Sequence, residues 1–209
     1  PDLPERARAQ EPRQMAARRL VFEDPRVAQP YVSRTYLAPE RDSGDQEKAA
    51  ALTVLAEVLG GGQTSVLVDK LQFETRIAVH SGAYYGGESL DDTTFGFAVV
   101  PAEGVTLQQA EDALDDVLIG FLETGVNPEH LERIKMQIRA AEVFERDNAS
   151  GVGNRYGRAL AQGLTVQDVQ DWPDILQAVT NDDIMAAARD VFKLENSVTG
   201  WLIAPEVTQ

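Results

Sequence analysis

The chain has 209 residues, of which 43% are hydrophobic and 25% charged, enough apolar material to bury a core in one or two domains. Its 19 Lys and Arg stand against 34 Asp and Glu, a net charge of −15, which argues against nucleic acid or an anionic membrane surface as a partner, since cationic side chains recognise both. The lack of cysteine excludes disulfides, thiol catalysis and cysteine-bound metal, and no apolar run approaches the ~20 residues that span a bilayer.

The first segment, residues 1–17, is polar, with Arg6, Arg8 and Arg13, and reads as a linker. It begins Pro-Asp-Leu-Pro without an initiator Met, so a segment of a longer protein is expected. Residues 18–209 read as one domain. Arg18–Glu23 and Val27–Leu37 have strand character, the second with Val27, Tyr31, Ser33, Thr35 and Leu37 on one side and Val32, Arg34 and Tyr36 on the other. After a polar turn, Asp45–Leu59 places Ala49, Leu52, Leu55, Ala56 and Leu59 on one helical face. Gly60, Gly61 and Gly62 then allow positive φ and close approach to another surface, and Thr64-Ser65 can cap a short helix carrying Val66, Leu67, Leu71 and Phe73.

Ile77–Tyr85 and Thr93–Val100 read as an antiparallel pair of strands around an acidic Gly-Gly turn. Thr106 precedes an amphipathic helix to about Glu123, ended by Gly125, and Asn127-Pro128 opens the next helix, reaching about Asn148. Ser150–Gly153 is expected to interrupt it before Arg155–Gln162 resumes. Val166–Val179 and Asp182–Phe192, the latter capped by Thr180-Asn181, are the last helices, and Ser197–Ile203 is the closing strand. Strands and helices come in blocks. The fold class expected is therefore α+β, a two-layer sandwich with a mostly antiparallel sheet and helices packed on one face.

Residues that could carry chemistry are few. His80 and His130 are the only histidines, and neither sits in an H-E-x-x-H or H-x-x-E-H spacing. His80 reads as a partly buried strand residue and His130 as a solvated helix residue. No metal site and no catalytic residue are expected in this chain. There is no G-x-S-x-G elbow, and Gly-Gly-Gly-Gln-Thr-Ser lacks the Lys of a phosphate-binding loop. Asp91-Asp92, Asp115-Asp116 and Asp182-Asp183 read as a solvated turn, a solvated helix face and a helix start.

Leu55 to Tyr85, with its helix, Gly-Gly-Gly-Gln-Thr-Ser stretch, Leu67-x-x-x-Leu71 helix and strand ending in Ala83-Tyr84-Tyr85, resembles the C-terminal half of pitrilysin-like zinc peptidases, the family of insulysin, mitochondrial processing peptidase and bacterial zinc protease subunits. The helix Asn127–Ala140 and the pair spanning Leu164–Phe192 extend the resemblance over most of the chain. It implies a non-catalytic half that forms the substrate chamber wall and subunit interface for peptide hydrolysis. It also implies zinc in a missing N-terminal half carrying H-x-x-E-H, and a full-length parent that is a zinc-dependent endopeptidase. The implied partners are that N-terminal half, a second homologous subunit and an extended peptide, and the implied location is the bacterial periplasm.

Active single-chain members carry an Arg and a Tyr seven residues apart, in a pattern like Leu-Arg-Glu-Lys-Arg-Gly-Leu-Ala-Tyr, which hold substrate. Aligned on Leu71 and Ala78, these substrate-binding positions are Gln72 and Val79, neither of which preserves the function, because Gln is neutral and Val offers no donor. The loss fits the zinc-bearing subunit of a two-subunit peptidase, whose partner supplies the pair. It also fits a non-enzymatic scaffold or assembly subunit with no zinc site anywhere.

Overall fold

The computed structural model describes residues 12, 14–145 and 147–205. Most of the expected linker over residues 1–17 lies outside them. Five strands, β1 (Arg18–Glu23), β2 (Tyr31–Ala38), β3 (Ala78–Tyr85), β4 (Thr93–Pro101) and β5 (Ser197–Ile203), form one sheet in the order β1-β5-β2-β4-β3. β1 runs parallel to β5, and every other neighbour is antiparallel. β2 starts at Tyr31 and not at Val27, because Pro30 has no N–H to give the ladder and Asp24 folds the preceding residues into a turn by accepting from the Arg26 backbone N–H.

Six α-helices follow the expected order: α1 (Glu47–Gly60), α2 (Leu107–Thr124), α3 (Pro128–Glu145), α4 (Ala149–Ala161), α5 (Val166–Ala178) and α6 (Asn181–Val191). Three begin with a reciprocal capping box, Thr106 with Gln109, Thr165 with Asp168 and Thr180 with Asp183. The side chain of Asn127 caps α3 by accepting from the N–H groups of Glu129 and His130. The expected break at Ser150–Gly153 is not there. The chain turns just before Asn148, whose side chain accepts from Gly151 N–H at 3.0 Å and so draws Ser150–Gly153 into the first turns of α4.

All helices lie on one side of the sheet. α1, α2 and α6 pack on it directly, while α3 and α5 pack on α1, with α4 against α5. α1 is therefore buried almost all round, Ala50, Val54 and Val58 included, and not along one face as its periodicity predicts. Phe95 and Phe97 of β4 meet Tyr36 and Phe192 in edge and tilted contacts with ring centroids 5.1–6.3 Å apart, at the centre of the core.

The triple glycine works by two mechanisms. Gly60 permits contact, because a Cβ there would stand 1.9 Å from the backbone nitrogen of Ala83 on β3. Gly62 turns the chain in the left-handed region at φ +83°. Ser65 does not cap the next helix. Its hydroxyl donates back to the Gly62 carbonyl at 2.8 Å and closes the turn instead.

Candidate functional site

Among the described residues, nothing covers the side of the sheet away from the helices. Residues alternate along each strand, and in β2 Val32, Arg34, Tyr36 and Ala38 are buried under the helices while Tyr31, Ser33, Thr35 and Leu37 point the other way. On the same bare face stand Thr94, Gly96, Ala98 and Val100 of β4 and Val198, Gly200 and Leu202 of β5. Strand register aligns Gly82, Ala98, Ser33 and Gly200 into one row of small residues crossing four strands. The row is flanked by Tyr84, which lies over Gly96, and by Val100, Tyr31 and Leu202 on its other side. This makes a shallow trough whose long axis crosses the strands.

The trough ends near β3, where the backbone is irregular. Val68–Glu74 is a π-helical turn, Arg76 adopts φ +55°, and the register with β4 slips between Ala78 and His80, leaving Val79 as the extra residue of a bulge. Such irregularities cost energy and are retained where the surrounding structure imposes them. The aligned family pattern places Gly where this chain has Arg76. The left-handed penalty of about 1–2 kcal/mol for a side chain exceeds the ~0.5–1 kcal/mol of extra unfolded freedom that glycine brings. Arg76→Gly is therefore expected to stabilise the domain by about 0.5–1 kcal/mol, seen as a higher urea midpoint at unchanged slope.

Gln72 and Val79 are not joined by any hydrogen bond. The Gln72 amide donates to Ser81 Oγ at 2.9 Å, and because Ser81 is buried on the helix-covered side, this bond ties the π-helical turn to β3. Val79 is 55% exposed and lines a cavity of about 680 Å³ at the strand ends, with Pro30, Pro101, Leu107 and Ile203. The bulge has a further effect on its neighbour. It turns His80 onto the bare face, where it is exposed, and not into the partly buried position its strand context suggests. His130 departs in the opposite sense. It is 8% exposed in the first turn of α3, lining a cavity between α2 and the π-helical turn, and burial, with the nearby Arg133 charge, lowers its pKa. The two histidines thus sit on different elements, and among the described residues no group of three or more His, Asp and Glu could hold a metal ion. The described residues do not fit a zinc site.

Two polar clusters join residues far apart in sequence, one between α2 and the sheet and one between the 43–46 loop and the start of α5. Arg34, 1% exposed, donates to Glu111 at 2.9 Å, to Thr199 Oγ1 at 3.0 Å and to Asp115, so Asp115 is not a freely solvated helix carboxylate. Glu111 also accepts from Trp201 Nε1 at 2.8 Å and pairs with Arg19, which is how α2 holds the edge strand β1. Burial pulls the Arg34 guanidinium towards lower pKa, but the hydrogen bond and charge of Asp115 lead the effects that keep it above the ordinary arginine value.

In the second cluster Asp168 accepts from Ser43 Oγ at 2.6 Å, Thr165 N–H at 2.7 Å, Gln46 Nε2 at 3.2 Å and Gly44 N–H at 3.3 Å. The hydrogen bonds from Ser43 and then Thr165 hold its carboxyl well below the usual range. A depressed folded pKa gives stability that is complete above the unfolded value and is lost as pH falls through the folded one. Unfolding free energy measured against pH is thus expected to decline below about pH 4, and Asp168→Asn to flatten that decline while lowering stability at neutral pH.

Fold and site together define an α+β sandwich domain with a five-stranded sheet covered by helices on one face. The chain belongs to the family described as the peptidase M16 inactive domain, which matches residues 2–138, and it is a non-catalytic domain of that family. It is 28% identical over 148 residues to an uncharacterized zinc protease of Streptomyces coelicolor, covering 69% of this chain and 31% of that protein. A protease from Helicobacter pylori has the same fold at TM-score 0.86 and 22% identity, over 97% of this chain and 48% of that one. The peptidase M16 inactive domain from Pseudomonas fluorescens follows at TM-score 0.75 and 19% identity, over 100% of this chain and 48% of that one. The chain therefore spans less than half the length of these relatives.

Proposed function

We propose that this chain is the C-terminal half of a bacterial zinc-dependent endopeptidase and that its bare sheet face is one wall of the chamber holding an extended peptide. The observation that carries this reading is the uncovered face itself, on a chain that belongs to an inactive-domain family and spans 48% of a protease of the same fold. A sheet face with a real core beneath it and no described residue above it is a surface to be apposed to something.

In this reading the zinc and its H-x-x-E-H ligands belong to an N-terminal half outside this chain, which faces the trough across the chamber. By the family resemblance, Gln72 and Val79 correspond to the positions of a substrate-holding Arg and Tyr. Here the Gln72 amide serves the Ser81 contact and Val79 presents only methyl groups. A second homologous subunit would supply the missing pair, and the complex would work in the periplasm.

The test uses the full-length protein, alone and mixed with a second homologous subunit from the same source, on an unstructured fluorogenic peptide. Cleavage that needs both proteins and stops with chelator is the expected result. A full-length protein whose upstream sequence lacks H-x-x-E-H, and a mixture without activity, would turn the assignment to the scaffold alternative. Cleavage by the 209-residue chain alone would overturn both.

A further inference from the structure

The sheet's bare face is almost free of charge. The chain carries 34 carboxylates, yet none stands among the outward residues of β2, β3, β4 and β5, which are hydroxyl, small, aliphatic or aromatic apart from the exposed imidazole of His80. Lys and Arg are equally missing there. On β1 the only charged outward residue is Arg18, at the outer edge of the sheet beside Leu20 and Phe22. The acidic residues instead occupy helix surfaces and turns, as with Asp182 and Asp183 at the start of α6 and Asp91 and Asp92 between β3 and β4.

From this distribution we infer that the face selects extended peptide segments whose side chains are uncharged: hydroxyl, aliphatic and aromatic. The inference rests on the chamber-wall reading above and adds the substrate class. A charged side chain laid against this face loses water and finds no counter-ion in the wall, which penalises it. Tyr31 and Tyr84 offer aromatic surface to apolar side chains, and the hydroxyls of Ser33, Thr35 and Thr94 can exchange hydrogen bonds with neutral polar groups or with peptide N–H and C=O. The acidity of the remaining surface acts at longer range. It would draw cationic peptides towards the molecule at low salt, but at physiological ionic strength a Debye length of about 8 Å confines it to its own surroundings. Local chemistry then decides what lies in the trough.

The experiment is a titration of the isotopically labelled chain, followed by amide NMR shifts at physiological ionic strength. The probes are a short extended peptide of Ser, Thr, Val and Tyr, and versions of it with Glu or Lys at alternate positions. Shifts centred on the outward residues of β2, β4 and β5 are expected with the uncharged peptide, and dissociation constants at least about ten-fold weaker for both charged versions. Thr35→Glu, and independently the more exposed Thr94→Glu, should weaken the uncharged peptide and make the Lys version the better ligand of the two charged ones. Equal affinity for all three peptides, or an order unchanged in both variants, overturns the selectivity. If no peptide shifts these strands at all, the chamber-wall reading itself falls.

Discussion

Arg34→Met is expected to destabilise the domain by about 3–5 kcal/mol, read from the midpoint and slope of a urea or guanidinium titration. Arg34 is the hub of the buried cluster. It satisfies Glu111 at 2.9 Å, Thr199 at 3.0 Å and Asp115, and its own exposure is 1%. Removing the cation leaves the Glu111 carboxylate at 3% exposure, held by Trp201 and the half-exposed Arg19. An uncompensated buried charge is far more costly than the intact pair is stabilising, since the pair had to be desolvated in the first place. The double variant Arg34→Met with Glu111→Leu is therefore expected to recover most of the loss. If the double variant were as unstable as the single one, the cost would lie in lost packing and not in an orphaned charge. Because Glu111 also holds Arg19, Glu111→Leu should loosen β1, seen as faster amide exchange along Arg18–Glu23.

Gly60→Ala is expected to cost about 3 kcal/mol, the upper end for forcing one methyl group into a packed interior. The added Cβ would lie 1.9 Å from the Ala83 nitrogen and 2.7 Å from its Cα, both backbone atoms of a strand hydrogen-bonded in the sheet. No side chain can swing aside to relieve the clash, so either α1 lifts from the sheet or β3 shifts. Gly62→Ala is the control. Nothing lies within 4 Å of its added Cβ, and the penalty is only that of the left-handed conformation at φ +83°, about 1–2 kcal/mol. A larger loss at Gly62 than at Gly60 would mean that turn geometry, and not close approach, governs this junction. Both variants are to be compared by thermal and chemical unfolding of the same chain.

The local elements were largely legible in the residues because their signals are local. Thr106, Asn127 and Thr180 cap helices where side-chain chemistry places them, and Gly125 ends α2 at φ +72°. Some misreadings were local, as at Pro30, Ser65 and Asn148, and the others came from decisions made by pairing and packing with residues far away in sequence. Strand alternation divides β2 into two sets of side chains without saying which set is covered, and Arg34 falls in the covered set because Glu111 and Asp115 arrive from α2. Likewise a single bulged residue, Val79, reverses the side on which His80 stands. His130 follows the same logic, as its side chain is covered beside α2 while Pro128 and Glu129 of the same first turn stay exposed.

Residue order alone established the α+β class, the element sequence and the family resemblance, since propensity, capping and periodicity act over a few residues and repeat a pattern that can be read off the chain. Strand order, the parallel edge pair β1–β5, the bare face and its lack of carboxylates depended on non-local pairing. A strand does not encode which neighbour it meets, or which of its two faces the helices will leave uncovered, until the whole sheet has closed on its core.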